Sequence, residues 1–267
     1  MATNNGQKGY ALITGATSGI GHELAKVFAE NGYNLVTVAR PSEDLQSKSE
    51  EISSRYGVEV IPVGKDLFDA NAASEVYEEV KAKGITVNVL VNDAGQGVFG
   101  PFIETDLQRQ LQIIQLNVVS LTALTYLFLK DMVARNEGKI LQLGSVVSEL
   151  PATLQSVYGG TKAYILSFTE ALISEVKDTN VTLTVLQPGA TDTDFFNKAG
   201  AQNSKIVEDK SKLSDPADVA KDAFKALMKG EDKVVSGFKN KVQVAMANVV
   251  PDTMLAEQMK KQSEEVK

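Results

Sequence analysis

The chain has 267 residues, 43% of them hydrophobic and 23% charged, with a formal net charge of −7. That acidic balance argues against nucleic acid as a partner, which needs basic surface. With no cysteine and a single histidine, His22, there can be no disulfide, no thiolate site and no multi-histidine zinc site, so no metal is expected. The opening MATNNGQKG is polar, and no apolar run reaches the roughly 18 residues of a membrane span. The expected setting is therefore cytoplasmic.

Strand and helix patterns alternate along the chain. Residues 10–15, YALITG, read as a buried strand, and residues 22–32, HELAKVFAENG, as an amphipathic helix closed by Gly32. NLVTVAR at 34–40 is the next strand. Residues 42–57 form a helix with Ser42 as N-cap. VEVIPVGKD is a third strand, NAASEVYEEVKAKG a helix, and VNVLVNDAG a fourth strand. Residues 105–136 are a long helical segment, GKILQLGSVV a fifth strand, and residues 157–178 a second long helix. VTLTVLQPG is a sixth strand, DPADVAKDAFKALMKG a helix opened by an Asp-Pro cap, and DKVVSG a last strand. Apolar, β-branched strands that alternate with helices imply a parallel sheet covered on both faces. The expectation is one α/β domain over residues 1–267, a doubly wound, Rossmann-like three-layer αβα structure. Two regions resist the pattern. Residues 190–214 read as a long polar loop, and residues 238–267 as a tail ending in a charged amphipathic helix whose simplest role is a surface helix.

In such a sheet, ligands bind beyond the carboxyl ends of the strands. TGATSGIG, residues 14–21, sits where the first strand hands over to the first helix, and carries Gly15, Gly19 and Gly21. Helix N-terminal N–H groups attract anions, and glycine lets the backbone approach a diphosphate with no Cβ in the way. Thr17, Ser18 and Ile20 complete the turn. The motif fits the TGxxxGxG pattern of the short-chain dehydrogenase/reductases, and from about Tyr10 to Gly237 the chain resembles that family.

The second strand ends Val38-Ala39-Arg40. Ala39 holds the place where the family's NAD-dependent members usually carry Asp, and the Arg40 guanidinium suits a ribose 2′-phosphate. The resemblance therefore implies NADP(H), preferred over NAD. Asp66 and Leu67 match its adenine-contacting position. At the fourth strand the family's NNAG reads Asn92-Asp93-Ala94-Gly95 here. Asp93 loses an amide donor and adds a negative charge that could lower cofactor affinity.

Tyr158 and Lys162 stand at i and i+4, one turn apart on the same helix face. Ser145 lies thirteen positions before Tyr158, in LGSVVS, and Asn117 lies in LQLNVVS. Together Asn117, Ser145, Tyr158 and Lys162 match the family's catalytic tetrad. The resemblance makes Tyr158 the proton donor in reduction and base in oxidation, tuned by the Lys162 ammonium. It has Lys162 also hold the nicotinamide ribose, Ser145 the substrate oxygen, and Asn117 a water linking Lys162 to solvent. In PGATDT, Pro188, Gly189, Thr191 and Thr193 fall at the PGxxxT segment, with Thr193 on the nicotinamide amide.

The implied activity is hydride transfer between NADPH and a carbonyl or secondary alcohol. The apolar Val98, Phe99, Val147, Leu150, Leu154, Phe195 and Phe196 suggest an apolar ketone or aldehyde as substrate. Two other readings share parts of this pattern. The epimerase and dehydratase branch shares YxxxK but has TGxxGxxG spacing and longer chains. A non-catalytic NADP-binding sensor or scaffold would usually lack the Tyr or Lys. His22 reads as a surface or phosphate-edge residue, and Ser148 as a neighbour of the substrate pocket. By resemblance, the two long helices form dimer and tetramer faces, so a homodimer or homotetramer is expected.

Overall fold

The computed structural model describes residues 8–247 and 250–263. β1 (Tyr10–Thr14) leads through the glycine turn into α1 (Gly19–Glu30). Then come β2 (Asn34–Ala39), α2 (Glu43–Tyr56), β3 (Val60–Gly64), α3 (Ala72–Ala82) and β4 (Val87–Asn92). The long helical segment is α4 (Leu107–Ile114), a π-helical stretch (Gln115–Ser120) and α5 (Leu121–Ala134). β5 (Gly138–Leu143), α6 (Ser156–Glu175) and β6 (Val181–Gln187) complete the expected alternation. The last part holds α7 (Phe195–Ala199), α8 (Lys205–Glu208), α9 (Pro216–Lys229), β7 (Lys233–Val235), α10 (Phe238–Ala247) and α11 (Asp252–Ser263).

The described residues form one seven-stranded parallel sheet in the order β3-β2-β1-β4-β5-β6-β7. Successive β1 side chains point to opposite faces. Ala11 and Ile13 pack with α1 and α9, against Leu24, Phe28, Val219 and Leu227. Leu12 points the other way, to Val76, Val80, Leu124 and Phe128 of α3 and α5. This is why the strand is apolar throughout rather than alternating.

Local chemistry sets the helix ends. Ser42 Oγ accepts from the Leu45 N–H at 3.4 Å. Asp215 accepts from the Ala217 N–H at 2.8 Å, one residue before Pro216. α1 begins at Gly19, earlier than its apolar periodicity indicates, because Gly19 and Gly21 carry no hydrophobic signal.

The order of the strands reverses between β1 and β4, and the chain leaves their carboxyl ends toward opposite faces of the sheet, which opens a crevice there. Thr14 Oγ1 ties the two ends together, accepting from the N–H groups of Asp93 and Ala94, each at 3.0 Å.

Two regions differ from expectation. Residues 190–214 are a closed lobe rather than an open loop. Thr191 bridges to Ser214, the Asp192 N–H reaches Ser214 O at 2.9 Å, and α7 and α8 fold inside. The tail is not a simple surface helix. Val244 of α10 and Leu255 of α11 form a third small core with Val146 and Leu150, and Thr153 Oγ1 donates to Ala256 O at 3.0 Å. Residues 248–249 and 264–267 of the predicted tail lie outside the described residues.

Among the described residues, the run Leu107–Ala134 is long and apolar enough to cross a bilayer by length and composition. Its inner side is core instead: Ile113, Leu116, Leu124, Phe128 and Met132 are buried in the protein.

Candidate functional site

A cavity of about 810 Å³ opens at the carboxyl edge of the sheet. At one end it is lined by Arg40, Lys65, Asp66, Leu67 and Phe68. Its floor is Gly15, Thr17, Ser18, Gly19, Ile20, Ala94 and Gly95. Ser145 and Tyr158 stand in its middle, beside Pro188, Gly189, Thr191 and Thr193. The far end is lobe and tail: Phe195, Phe196, Ile206, Gln243 and Met259.

Close packing explains the glycines of the turn. A Cβ on Gly21 would lie 2.4 Å from Asp93 Oδ2 and 2.6 Å from Gly15 O. Gly15 has φ 73°, and a Cβ there would sit 3.1 Å from the Ala94 backbone. Ser18 is the N-cap of α1, yet its hydroxyl makes no capping bond, which leaves it available on the cavity side. Lys48 Nζ donates to Thr17 O at 2.6 Å and braces the turn from behind. Turn N–H groups and a free cap hydroxyl make a surface that fits a dinucleotide diphosphate, with the guanidinium of Arg40 in the same cavity lining.

The tetrad is assembled from three parts of the chain: the π-helical stretch, the segment after β5 and α6. Asn117 lies in the π-helical stretch, a helix irregularity that often marks a functional site. Its Oδ1 accepts from the Gln96 N–H at 3.1 Å, and its Nδ2 donates to Gln96 O at 2.9 Å and to Thr161 Oγ1 at 3.0 Å. Lys162 is 3% exposed, and its Nζ donates to Leu143 O at 2.6 Å. The ammonium lies 5.6 Å from the centre of the Tyr158 ring. Gly95 lies against both groups: a Cβ there would sit in ordinary contact, 3.5 Å from Lys162 Nζ and 3.4 Å from Asn117 Oδ1.

Ser145 lies two residues beyond β5 and caps a short 3₁₀ turn. Its Oγ accepts from the Val147 N–H at 3.3 Å, and Ser148 Oγ accepts from the Ser145 N–H at 3.2 Å. Ser148 therefore fixes the Ser145 backbone and is itself buried, rather than bordering substrate space. The Ser145 and Tyr158 side chains line the same cavity, and the Ser145 hydroxyl favours ionisation of the Tyr158 phenol.

Burial dominates the electrostatics. It holds the Tyr158 phenol well above its usual range, opposed by the nearby Ser145 hydroxyl and reinforced by Asp93. Burial also brings Lys162 down to about 8, while Asp93 pulls it back up. The tyrosine is thus a protonated phenol at neutral pH, the form a proton donor needs.

Most sequence-predicted site residues meet in this cavity. Asn92 does not: it turns into the sheet and donates to Thr125 Oγ1 and Gln142 Oε1, each at 3.0 Å. Gly21 lies beneath the floor, against Asp93. Among the apolar candidates, Val147, Phe195 and Phe196 line the cavity, whereas Leu150 joins the third core. His22 is half-buried, not a surface group, with Nδ1 3.2 Å from Ala16 O, and burial lowers its pKa.

Sequence reasoning missed Gln96, whose backbone holds Asn117, and the tail residues Gln243 and Met259 that wall the far end. It also missed the tilted ring contact between Phe195 and Tyr158, with centroids 5.1 Å apart and an interplanar angle of 50°. A signal for that contact exists in Gly97, where a Cβ would meet Phe195 at 3.0 Å and Tyr158 at 3.3 Å.

Comparison with known proteins agrees with this geometry. The short chain dehydrogenase family model matches residues 9–204. A probable NADP-dependent dehydrogenase of Haemophilus influenzae is 34% identical over 189 residues, 70% of this chain and 73% of that protein. A very-long-chain 3-oxoacyl-CoA reductase of Mycosarcoma maydis is 36% identical over 180 residues, 66% of this chain but 51% of that protein. The chain thus spans about half the length of some curated relatives that it matches. A short-chain dehydrogenase from Sphingobium yanoikuyae, solved with NADPH, superposes with a TM-score of 0.79 at 25% identity, covering 91% of this chain and 96% of that one. A glycine turn, a Ser-Tyr-Lys-Asn cluster and a family match over most of the chain lead to one conclusion: the protein belongs to the short-chain dehydrogenase/reductase family.

Proposed function

We propose that this chain is an NADPH-dependent reductase of carbonyl compounds, running in reverse as an alcohol dehydrogenase. The observation that carries the reading is that Tyr158 and Ser145 line one cavity together, with the buried Lys162 ammonium beside the Tyr158 ring and with the glycine turn and Arg40 in the same cavity lining. When bound, a nicotinamide cofactor supplies or accepts the hydride. The protein's own residues handle the proton and the oxygen. Ser145 Oγ and the Tyr158 hydroxyl are placed to hydrogen-bond a substrate carbonyl oxygen, and Tyr158 passes its proton to that oxygen as charge develops there. Lys162, anchored on Leu143 O, stabilises the phenolate left behind. Asn117 keeps the 95–97 backbone and α6 in register through Gln96 and Thr161.

Arg40 is exposed at the cavity end and favours NADPH over NADH. The NADP-dependent relative and the NADPH-bound neighbour support that preference. Phe195, Phe196, Val147 and Ile206 suit an apolar ketone or aldehyde. A non-catalytic sensor is the weaker reading, because every group the chemistry needs is present and gathered around one cavity. The exposed Leu107, Leu111, Val119 and Tyr126 of the long helical segment, with Tyr164 of α6, favour a second copy of the chain as partner. A cytoplasmic setting suits the cysteine-free composition.

Fluorescence titration with NADPH and NADH, beside Arg40→Ala, tests the cofactor. NADPH should bind more tightly, and the variant should lose most of that preference. A ketone and aldehyde panel then tests turnover. Tyr158→Phe should cost about 10²–10⁴-fold in kcat while NADPH affinity is kept. Full activity in Tyr158→Phe would exclude the proposed proton path.

A further inference from the structure

Asp93 stands where the family pattern has asparagine. It is 8% exposed, at the end of β4 beneath the glycine turn. Its carboxyl fills the space that side chains at Gly15 and Gly21 would occupy: Oδ2 lies 3.0 Å from one ideal Cβ and 2.4 Å from the other. The nearby Gly21 N–H favours the charged form of this carboxyl, while Oδ1 is buried with no hydrogen-bond partner. The group is therefore half satisfied, directly under the backbone that faces a diphosphate.

The surroundings can be named element by element. β1 offers the neutral Thr14 hydroxyl, which already accepts from the Asp93 N–H. α1 offers the Gly21 N–H, and its one nearby titratable group, His22, turns its ring to Ala16 O. α6 brings Lys162 and Tyr158, both electrostatically coupled to Asp93. Burial raises the Asp93 carboxyl to about 7, against the pull of Lys162 and of the Gly21 N–H.

We propose that Asp93 is a positioning residue that makes dinucleotide affinity depend on pH: as a neutral carboxyl it braces the glycine turn, and as a carboxylate it opposes the diphosphate held on the turn's other side. An unpartnered carboxylate oxygen in a buried site is unfavourable in itself. It also draws on the first-turn N–H field of α1 that an anionic ligand would use. Binding a diphosphate must then raise the Asp93 midpoint further, so a proton is taken up on binding. By linkage, affinity falls as pH rises through that midpoint. The same sign governs folding. The raised value means that stability from this group is complete below about pH 4, the unfolded carboxylate range, and is lost as pH climbs to about 7.

The inference rests on the NADP reading, and the test separates the two. NADPH dissociation constants are measured by fluorescence for the wild type and Asp93→Asn from pH 6 to 9. The cofactor's own phosphate titrates in this range, so the quantity read is the ratio of the two constants at each pH. The wild-type-to-variant ratio should rise with pH, about tenfold for each unit by which binding raises the carboxyl midpoint. Tight binding with a flat ratio overturns the role of Asp93 and leaves the NADP reading standing. No NADPH binding by either protein at any pH overturns both. Circular dichroism melting checks that the variant folds. If it does not, carbon-13 NMR of the wild-type Asp93 carboxyl with and without NADPH replaces it. An upward shift of the midpoint on binding supports the role, and an unmoved midpoint ends it.

Discussion

The two ends of the cavity are built by different physics. At the cofactor end, shape comes from the backbone. Gly15 and Gly21 are required because no Cβ fits against Asp93, Ala94 and Gly15 O. Thr14 locks β1 to β4, and Lys48 pins Thr17. At the lobe end, shape comes from short helices held by surface ion pairs such as Lys198–Asp194 at 3.1 Å and Lys212–Asp209 at 3.2 Å. Pairs of that kind are worth about 0–1 kcal/mol each. The first end is rigid and intolerant. The second is adaptable and carries its selectivity in side chains.

The comparison breaks most directly at Gly21. Gly21→Ala pushes a methyl into Gly15 O at 2.6 Å, and a backbone carbonyl cannot swing away as a side chain can. The turn must move, and with it the N–H groups of α1. Losing about 2 kcal/mol of helix-terminus interaction weakens NADPH by about 30-fold. Gly160→Ala is the control: nothing lies within 4 Å of its Cβ position, on α6 between Tyr158 and Lys162. That change should leave NADPH affinity intact and gain up to about 1 kcal/mol of helix stability. Equal behaviour of the two variants would mean that the turn is not under steric constraint.

A smaller effect follows from Lys162, which belongs to neither end and serves both. Burial lowers it to about 8. Below that pH the ammonium is present and can stabilise the phenolate that Tyr158 leaves. Above it the charge is lost, and proton transfer from Tyr158 becomes harder. Reductive kcat/KM should hold up to about pH 8 and then decline, about tenfold per pH unit at the steepest. A profile flat to pH 10 would place the ammonium outside the chemistry. Folding shows the opposite trend for this group. Its folded value lies below its unfolded value, so its contribution to stability rises as pH climbs from about 8 toward about 10.4.

The same contrast explains what the sequence let one read. The glycine turn, Arg40, Ser145 and the Tyr158–Lys162 pair lie at strand ends or one helical turn apart, where local spacing dictates position. The sheet was equally legible, since its strands are apolar on both faces. Asn92 was misassigned to the cofactor because its adjacency to Ala94 and Gly95 is local, whereas its turn toward Thr125 and Gln142 depends on α5 and β5. Gln243 and Met259 were invisible for a related reason. They reach the cavity only because Val244 and Leu255 dock on Val146 and Leu150, roughly a hundred residues earlier. No periodicity encodes that docking. The lobe hid α7 and α8 because each is too short to show a helical repeat.

The lobe end is sharpened by the mildest substitutions. Lys198, Lys205, Lys212, Lys239 and Lys261 line the cavity there, from five different segments, against the carboxylates Asp194 and Glu208. A chain with a net charge of −7 thus presents a locally basic mouth. An apolar carbonyl compound with a negatively charged far end would gain from that field, and a neutral one would not. The matched probes are a long-chain keto acid and its methyl ester, which share the carbonyl and the apolar body. The acid should show the higher kcat/KM at low salt, and the advantage should shrink as added salt screens the field within about 10 Å. Replacing Lys239 and Lys261 together by Gln should lower kcat/KM for the acid a few-fold, at about 0.2–1 kcal/mol per exposed charge. The ester should be untouched and NADPH affinity unchanged. If the double variant instead weakened NADPH, these lysines would belong to the cofactor end, and the division between a backbone-built half and a charge-built half would fail.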